Sequence, residues 1–525
     1  MSLEFKRIFT KSFNTAYQDI EFKTIKAEIK NKDGSYAMKM DKLIVPANWS
    51  NTAANIVARN YFRKKGVPVS LEKIEEEGIP VWLQRSQISK ELDVNDSANY
   101  THEFDVREVV NRLVGAWTYW GLKGKYFSEE QAEIFYDELR YMLITQMCAP
   151  NSPQWFNTGL HWAYGITGSA QGHYYFDEAL QAIAKSESAY ARPQPHACFI
   201  QGVEDDLVGP NGIMALYHKE ALLFKYGSGT GSNFSNIRSS GEKLSGGGFS
   251  SGLMSFLRIG DVSGGSIKSG GTTRRAAKMV IVNVNHPEII DFIQWKNNEE
   301  EKVVDLVVGS KIIKTHSLNI IKAYKEKRDL REVINEALNN GIPHNYIIRV
   351  LSMIKNDADY EKKLFELNWD SEVYQSVFGQ NSNNSVRVED EFMYAVEGDK
   401  EYDLISREQQ IIKTLKARYI WKEIGKAVWG CADPGLQFDT TINDWHTCPQ
   451  SGRINASNPC SEYMFLDDTA CNLASLNLIK FVKNDQFLIE EFKHSVALWT
   501  YVLEISIYMA HFPSKEIALR SYQFR

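Results

Sequence analysis

From residue 197 to residue 439 the chain alternates short apolar runs with stretches of helical periodicity, and this rhythm limits the fold more than any other feature. The runs at 197–201, 278–284, 303–308, 384–388 and 436–439 have strand length. The stretches at 212–224, 330–338 and 417–429 carry apolar residues at helical spacing. Parallel strands need a crossover about as long as a helix, so the expected class is α/β with parallel pairs. A helix opened by His286-Pro287-Glu288 follows the second run, with proline at a favoured first-turn position. Residues 311–378 read as a charged helical insertion. Upstream, 103–147 is helical, with Val109, Val110, Leu113, Val114 and Trp117 at helical spacing.

A length of 525 residues exceeds one ordinary core. The expected division is an N-terminal segment at 1–95, with turn signals at Asp33-Gly34 and Pro46-Ala47, a helical domain at 96–195, and a catalytic α/β domain at 196–525. The most apolar stretch, 495–512, is interrupted by Glu504 and closed by Pro513, which makes it a core helix and not a membrane span. A net charge of −6 with scattered Lys and Arg gives no electrostatic reason to expect nucleic acid. The first residues lack an apolar h-region, so a cytoplasmic setting is expected. Six cysteines without a CxxC pair exclude a disulfide scaffold and argue against a zinc site; no metal is expected.

Two segments carry the chemistry. Of the 34 glycines, 13 fall between Gly227 and Gly271. Such density lets backbone amides approach an anionic ligand, although neither a P-loop nor a dinucleotide fingerprint is present. The second is Asn458-Pro459-Cys460-Ser461-Glu462, followed eleven residues after its thiol by Cys471. Pro459 opposes a helix through Asn458. An extended backbone would then project Asn458, Cys460 and Glu462 on one side. Cys198 and Cys471 both lie in strand-like runs.

Residues 195–200, 225–234, 269–277 and 458–462 together resemble the large catalytic subunit of ribonucleotide reductases, over nearly the whole chain. The style of 151–159 and 431–435 is similar to the class II, adenosylcobalamin-dependent branch. The resemblance implies a ten-stranded α/β barrel, of which the first half, the finger loop and the following strand are present, preceded by a mainly helical N-terminal region. It makes Cys460 the thiyl radical, Glu462 the general base and Asn458 the orienting amide. Cys198 and Cys471 become the reducing dithiol, two positions 273 residues apart that must meet in the fold. Ala197, Ser228 and Gly229 would lie against the ribonucleotide substrate. Asp205, Arg238, Ser269, Arg274 and Arg275 would bind a deoxynucleoside triphosphate effector.

The resemblance also implies a thioredoxin-type reductant and a homodimer. The barrel strands beyond Arg525 lead us to expect one part of a split or truncated enzyme, with the C-terminal half on a second polypeptide and little activity alone. Another radical enzyme on the same barrel and a non-catalytic nucleotide-binding remnant are the alternatives.

Overall fold

Asp105 caps the helix Val106–Lys123, accepting from the first turn while Glu108 reaches back to the cap amide. The structure, a computed structural model, describes residues 4–10, 15–30, 35–269, 274–356, 358, 360, 362–368 and 371–525. It divides into two units. The first comprises Met1–Asn233, Ser266–Met279 and Trp445–Arg525; the second comprises Phe234–Gly265 and Val280–Asp444.

In the first unit, an antiparallel pair of long strands, Phe22–Lys30 and Tyr36–Pro46, opens the chain. The turn expected at Asp33-Gly34 lies outside the described residues. The one at Pro46-Ala47 is present, with Trp49 N donating to Pro46 O at 3.0 Å. The helices Val106–Lys123, Glu129–Ile144 and Ile489–Met509 then share one core, in which Trp117 meets Trp499 edge to face at 5.6 Å. The apolar stretch at 495–512 is thus a core helix up to Met509, and no helix among the described residues is long and apolar enough to cross a membrane.

Beneath this core lies a fully buried ion pair. Arg112 Nε donates to Glu103 Oε1 at 2.7 Å, and Glu103 also accepts from Arg63 N and from the Tyr164 hydroxyl. Burial by itself would raise the Glu103 carboxyl, but Arg112 and these donors hold it below the ordinary carboxylate value. Arg112 Nη1 then reaches the carbonyls of Trp155 and Thr158, at 3.1 and 2.6 Å. Gly159 follows with φ +81°, and a Cβ there would stand 2.2 Å from the Arg112 carbonyl oxygen. The Asn-Ser-Pro-Gln-Trp-Phe-Asn-Thr-Gly stretch is therefore clamped onto the helix by one guanidinium.

The first unit's sheet has the order Thr469–Cys471, Cys198–Ile200, Gly229–Asn233. The first pairing is antiparallel and the second parallel. In the second unit, Ser382–Val388 pairs in parallel with Gly435–Phe438. The α/β class and these parallel pairs match the alternation in the sequence.

One expected strand is absent. Residues 303–308 lie inside the 37-residue helix Ile289–Lys325. Val303 and Val307 pack against Val373 and Val377, while Val304 and Val308 are exposed. The β-branched run looked like a strand, but its buried positions, continued from Phe292, Trp295 and Glu299, keep the three-to-four spacing of a helix. The helices Leu330–Asn339 and His344–Lys355 follow it and enclose a small core around Ile320, Ala337 and Ile347.

Glu103→Gln is expected to destabilise the first unit by about 3–5 kcal/mol, because it strips Arg112 of its buried partner. The sign with pH follows from the depressed carboxyl. Its contribution is complete above the ordinary glutamate value of 4.5 and is lost as pH falls through the lower folded value. Urea midpoints measured at pH 7 and below 4.5 should converge between the two proteins; a constant gap would contradict the assignment.

Candidate active site

The antiparallel register sets Cys198 directly opposite Cys471. Residues so placed have Cα atoms about 4.5–5.5 Å apart, within the roughly 4.4–6.8 Å that a disulfide spans. Both are buried thiols, clustered with Ala197 and flanked by Tyr463 and Leu473. Ala197 itself is built into the sheet: its N–H donates to the Cys471 carbonyl and its carbonyl accepts from Gly229 N. Burial, with smaller contributions from Cys198 and Glu462, pushes the Cys471 thiol up to about 12.

Residues 458–462 do not run extended, which corrects the reading from sequence. The strands Ala456–Ser457 and Met464–Phe465 form a hairpin, and the chain between them makes a tight turn in which Ser461 N donates to Asn458 O at 3.1 Å. Pro459 occupies the second turn position, which suits its fixed φ, and Ser461 sits in the left-handed region at φ +62°. The turn separates the three side chains. Asn458 is fully buried, whereas Cys460 and Glu462 are exposed.

Asn458 is held from both ends: its N–H donates to the Tyr463 carbonyl and its Oδ1 accepts from Tyr463 N, each at 3.0 Å. Its buried Nδ2 has no acceptor among the described residues. An orphaned buried donor of this kind is costly unless a ligand completes it.

The glycines have a use that composition did not disclose. Gly229 and Gly231 lie two apart on Gly229–Asn233 and so face one side of the strand. A Cβ on Gly231 would stand 1.8 Å from the Ser457 carbonyl oxygen, and one on Gly229 would stand 2.9 Å from Pro459 Cγ. The hairpin lies directly on bare backbone. Next to them, the buried Ser228 hydroxyl donates to His196 O and accepts from Gln194 Nε2, both at 2.7 Å.

Sequence reasoning overlooked Gln194 and Tyr463. Gln194 abuts the 195–200 motif and links Ser228 to His173, whose Nε2 lies 3.2 Å from Gln194 Oε1. Tyr463 follows Glu462 immediately and bonds Thr469 Oγ1 at 2.9 Å, tying the hairpin to the Cys471 strand. Adjacency to the motifs was the available signal.

Of the expected effector residues, Asp205 is half-buried in the first unit. Arg238 belongs to the second, where its Nη1 donates to Lys243 O. Ser269 pairs with Arg274 in a two-residue antiparallel ladder that also joins Lys268 to Arg275. The side chains of Ser269, Arg274 and Arg275 and all of 270–273 lie outside the described residues. Among the described residues no cluster of three or more His, Cys, Asp or Glu is placed to hold a metal ion.

A family model described as ribonucleotide reductase, barrel domain, matches residues 196–525, and one described as class II vitamin B12-dependent ribonucleotide reductase matches 23–146. A vitamin B12-dependent ribonucleotide reductase of Agrobacterium fabrum is 53% identical over all of this chain and 43% of its own length. The protein of that name from Bradyrhizobium diazoefficiens is 54% identical with the same coverage, and that from Streptomyces avermitilis is 37% identical with the same coverage. The chain thus spans 43% of the length of these curated relatives. The chain belongs to the ribonucleotide reductase family.

At pH 7.5, a small alkylating reagent is expected to label Cys460 faster than Cys471, because Cys460 is exposed while Cys471 is buried and stays protonated up to about pH 12, and the thiolate is the reactive form. Peptide mass spectrometry reads the order, and equal rates for the two would contradict it. Gly231→Ala should lower stability by about 1–3 kcal/mol through overpacking and speed the labelling of Cys471 by lifting the hairpin. Unchanged melting and labelling would show that the close approach is not required.

Proposed function

We propose that this chain carries the radical and reducing thiols of a class II ribonucleotide reductase, which converts ribonucleotides to 2′-deoxyribonucleotides with adenosylcobalamin. The observation that carries the reading is the register of Cys198 against Cys471 beneath the Asn458–Glu462 turn. When bound, adenosylcobalamin supplies the radical equivalent. The exposed Cys460 thiol at the turn is the group open to it, which suits a radical delivered from outside the chain.

As a thiyl radical, Cys460 takes the 3′ hydrogen of the ribose. Glu462 accepts the 3′-hydroxyl proton, as a carboxylate within hydrogen-bond reach can, and the orphaned Asn458 Nδ2 donates to a substrate hydroxyl. The 2′-hydroxyl leaves as water. Two electrons and two hydrogens come from Cys198 and Cys471, which end as a disulfide, so that ribonucleotide plus two thiols gives deoxyribonucleotide, disulfide and water. A raised thiol value at Cys471 suits this role, because the group keeps its hydrogen at neutral pH. A thioredoxin-type dithiol restores the pair by exchange. Ala197, Ser228 and Gly229 form the substrate's floor. Asp205, Arg238 and the 269–275 segment hold a deoxynucleoside triphosphate that biases substrate choice.

The architecture we read is a ten-stranded α/β barrel, with the strands this chain does not supply lying in the part of its relatives' length that it does not span. We take the assembled enzyme to be a cytoplasmic homodimer.

The test mixes the 525-residue chain with a polypeptide carrying the unmatched portion of a relative, adenosylcobalamin and a dithiol. Ribonucleotide reduction is expected, falling below detection in Cys460→Ala. Cys471→Ser should abolish multiple turnover, since the disulfide no longer forms. Reduction that persists in Cys460→Ala, or proceeds without cobalamin, would refute the scheme. Deoxynucleotide binding with no reduction in the mixture would favour a regulatory remnant.

A further inference from the structure

Asn151 precedes the helix Ser152–Asn157 at the position where an asparagine ordinarily caps, its side chain accepting a hydrogen bond from the first turn. Here the side chain makes no such bond. It reaches two other segments instead. Nδ2 donates to the Pro195 carbonyl at 2.7 Å, and Oδ1 accepts from Leu473 N at 3.4 Å. The Asn151 N–H adds a bond to the Leu473 carbonyl at 3.0 Å. A side chain with a purely local role would have stayed on its own helix.

The two segments it joins are the approaches to the dithiol. Pro195 lies three residues before Cys198 and Leu473 two residues after Cys471, so the antiparallel register puts both at one end of the seam. At that end Ala197 N donates to the Cys471 carbonyl at 3.2 Å. Pro195 has no N–H with which to carry the ladder further. A carboxamide offers the same donor and acceptor as a peptide group, and Asn151 bridges the two approaches as a backbone pair would. Asn157 repeats the device on the next segment. Its Nδ2 donates to the carbonyls of Gln194 and Tyr226, at 2.9 and 3.0 Å, joining the Cys198 approach to the chain just before Ser228. Arg112 anchors the stretch itself through the carbonyls of Trp155 and Thr158.

We propose that Asn151 is a positioning residue for the dithiol. Its carboxamide fixes the separation of the strand ends that carry Cys198 and Cys471, and with it the readiness of the two thiols to close. A disulfide accepts Cα separations of only about 4.4–6.8 Å and a narrow dihedral range. Two thiols held in register therefore meet at a higher effective concentration than two on strands free to part. Asn151 touches neither sulfur; it acts through the backbone on either side of them. This role rests on Cys198 and Cys471 being the redox pair of the proposed reductase.

The 525-residue chain is equilibrated in glutathione buffers, where two protein thiols and glutathione disulfide give the protein disulfide and two molecules of reduced glutathione. Peptide mass spectrometry after acid quenching reads the Cys198–Cys471 disulfide. Asn151→Asp keeps the size, a good cap and the acceptor for Leu473 N, but loses the donor to Pro195. The equilibrium constant for closure is expected to fall roughly tenfold, which is about 30 mV for a two-electron couple. Asn151→Ser is uncharged, also caps well, and is too short to span; it should show the same fall, and it serves alone if the aspartate variant does not fold. Leu139→Ala, in the helical core and outside the clusters around the seam, should lower the melting temperature and leave the constant unchanged. A constant equal to wild type in the folded variants at Asn151 would overturn the positioning role and leave the dithiol in place. An equal fall in Leu139→Ala would overturn it as well, since stability alone would then account for the effect. A wild-type chain that forms no Cys198–Cys471 disulfide would remove the redox pair itself, and the role with it. None of these readouts requires reductase turnover.

Discussion

The three-residue antiparallel seam between Cys198–Ile200 and Thr469–Cys471 is the contact on which the candidate site depends. A strand that short is not stable alone; packing holds it. Phe199 is fully buried against Leu223, Phe512, Ile517 and Ala518, and Ala470 packs against the same cluster. The seam's faces are therefore fixed by hydrophobic burial. Side chains alternate along a strand, so a one-residue slip would turn Cys471 from Cys198 toward the Phe199 side. Register here is a chemical requirement, since only direct opposition lets two thiols become one disulfide without backbone movement.

The hairpin above the seam obeys a different rule. Its carbonyl at Ser457 approaches a strand whose facing positions are glycine, so the loop is aimed by backbone contact and not by side-chain packing. Tyr463 completes the placement by fastening Asn458 on one side and Thr469 on the other. The loop and the seam are thereby coupled through one aromatic residue. Displacing Tyr463 would disturb the orientation of the amide and the environment of the dithiol together.

Much of this was legible in the chain. The runs at 197–201 and 384–388 became strands, their length suited to a short strand buried on both faces. The meeting of Cys198 with Cys471 followed from the family resemblance, because no local pattern encodes a contact across 273 residues. Two readings failed for the same physical reason. At 303–308, β propensity was overridden by a helical period visible only over the longer stretch from Phe292 to Ser310. At 458–462, proline excluded a helix, but the choice between an extended segment and a turn was settled by the hairpin's tertiary seat on Gly231. The glycine region was read as ligand-binding from composition; at Gly231 a second part of the chain takes the space first.

Burial divides the labour within the site. Cys198 and Cys471 are both buried, and burial pushes the Cys471 thiol up to about 12, so that it keeps its hydrogen at neutral pH, as the proposed reductant would need to. Cys460 and Glu462 are exposed, as the proposed scheme requires of groups that meet a cofactor and a substrate. Asn458 stands between the two regimes, buried yet with a free donor. On the proposed scheme, if all three cysteines shared one environment, either the reductant would be as open as the initiator or the initiator would be shut from its radical source. The turn at Pro459 resolves this conflict: in two residues the chain passes from a buried amide to an exposed thiol, which an extended segment projecting both on one face would not achieve.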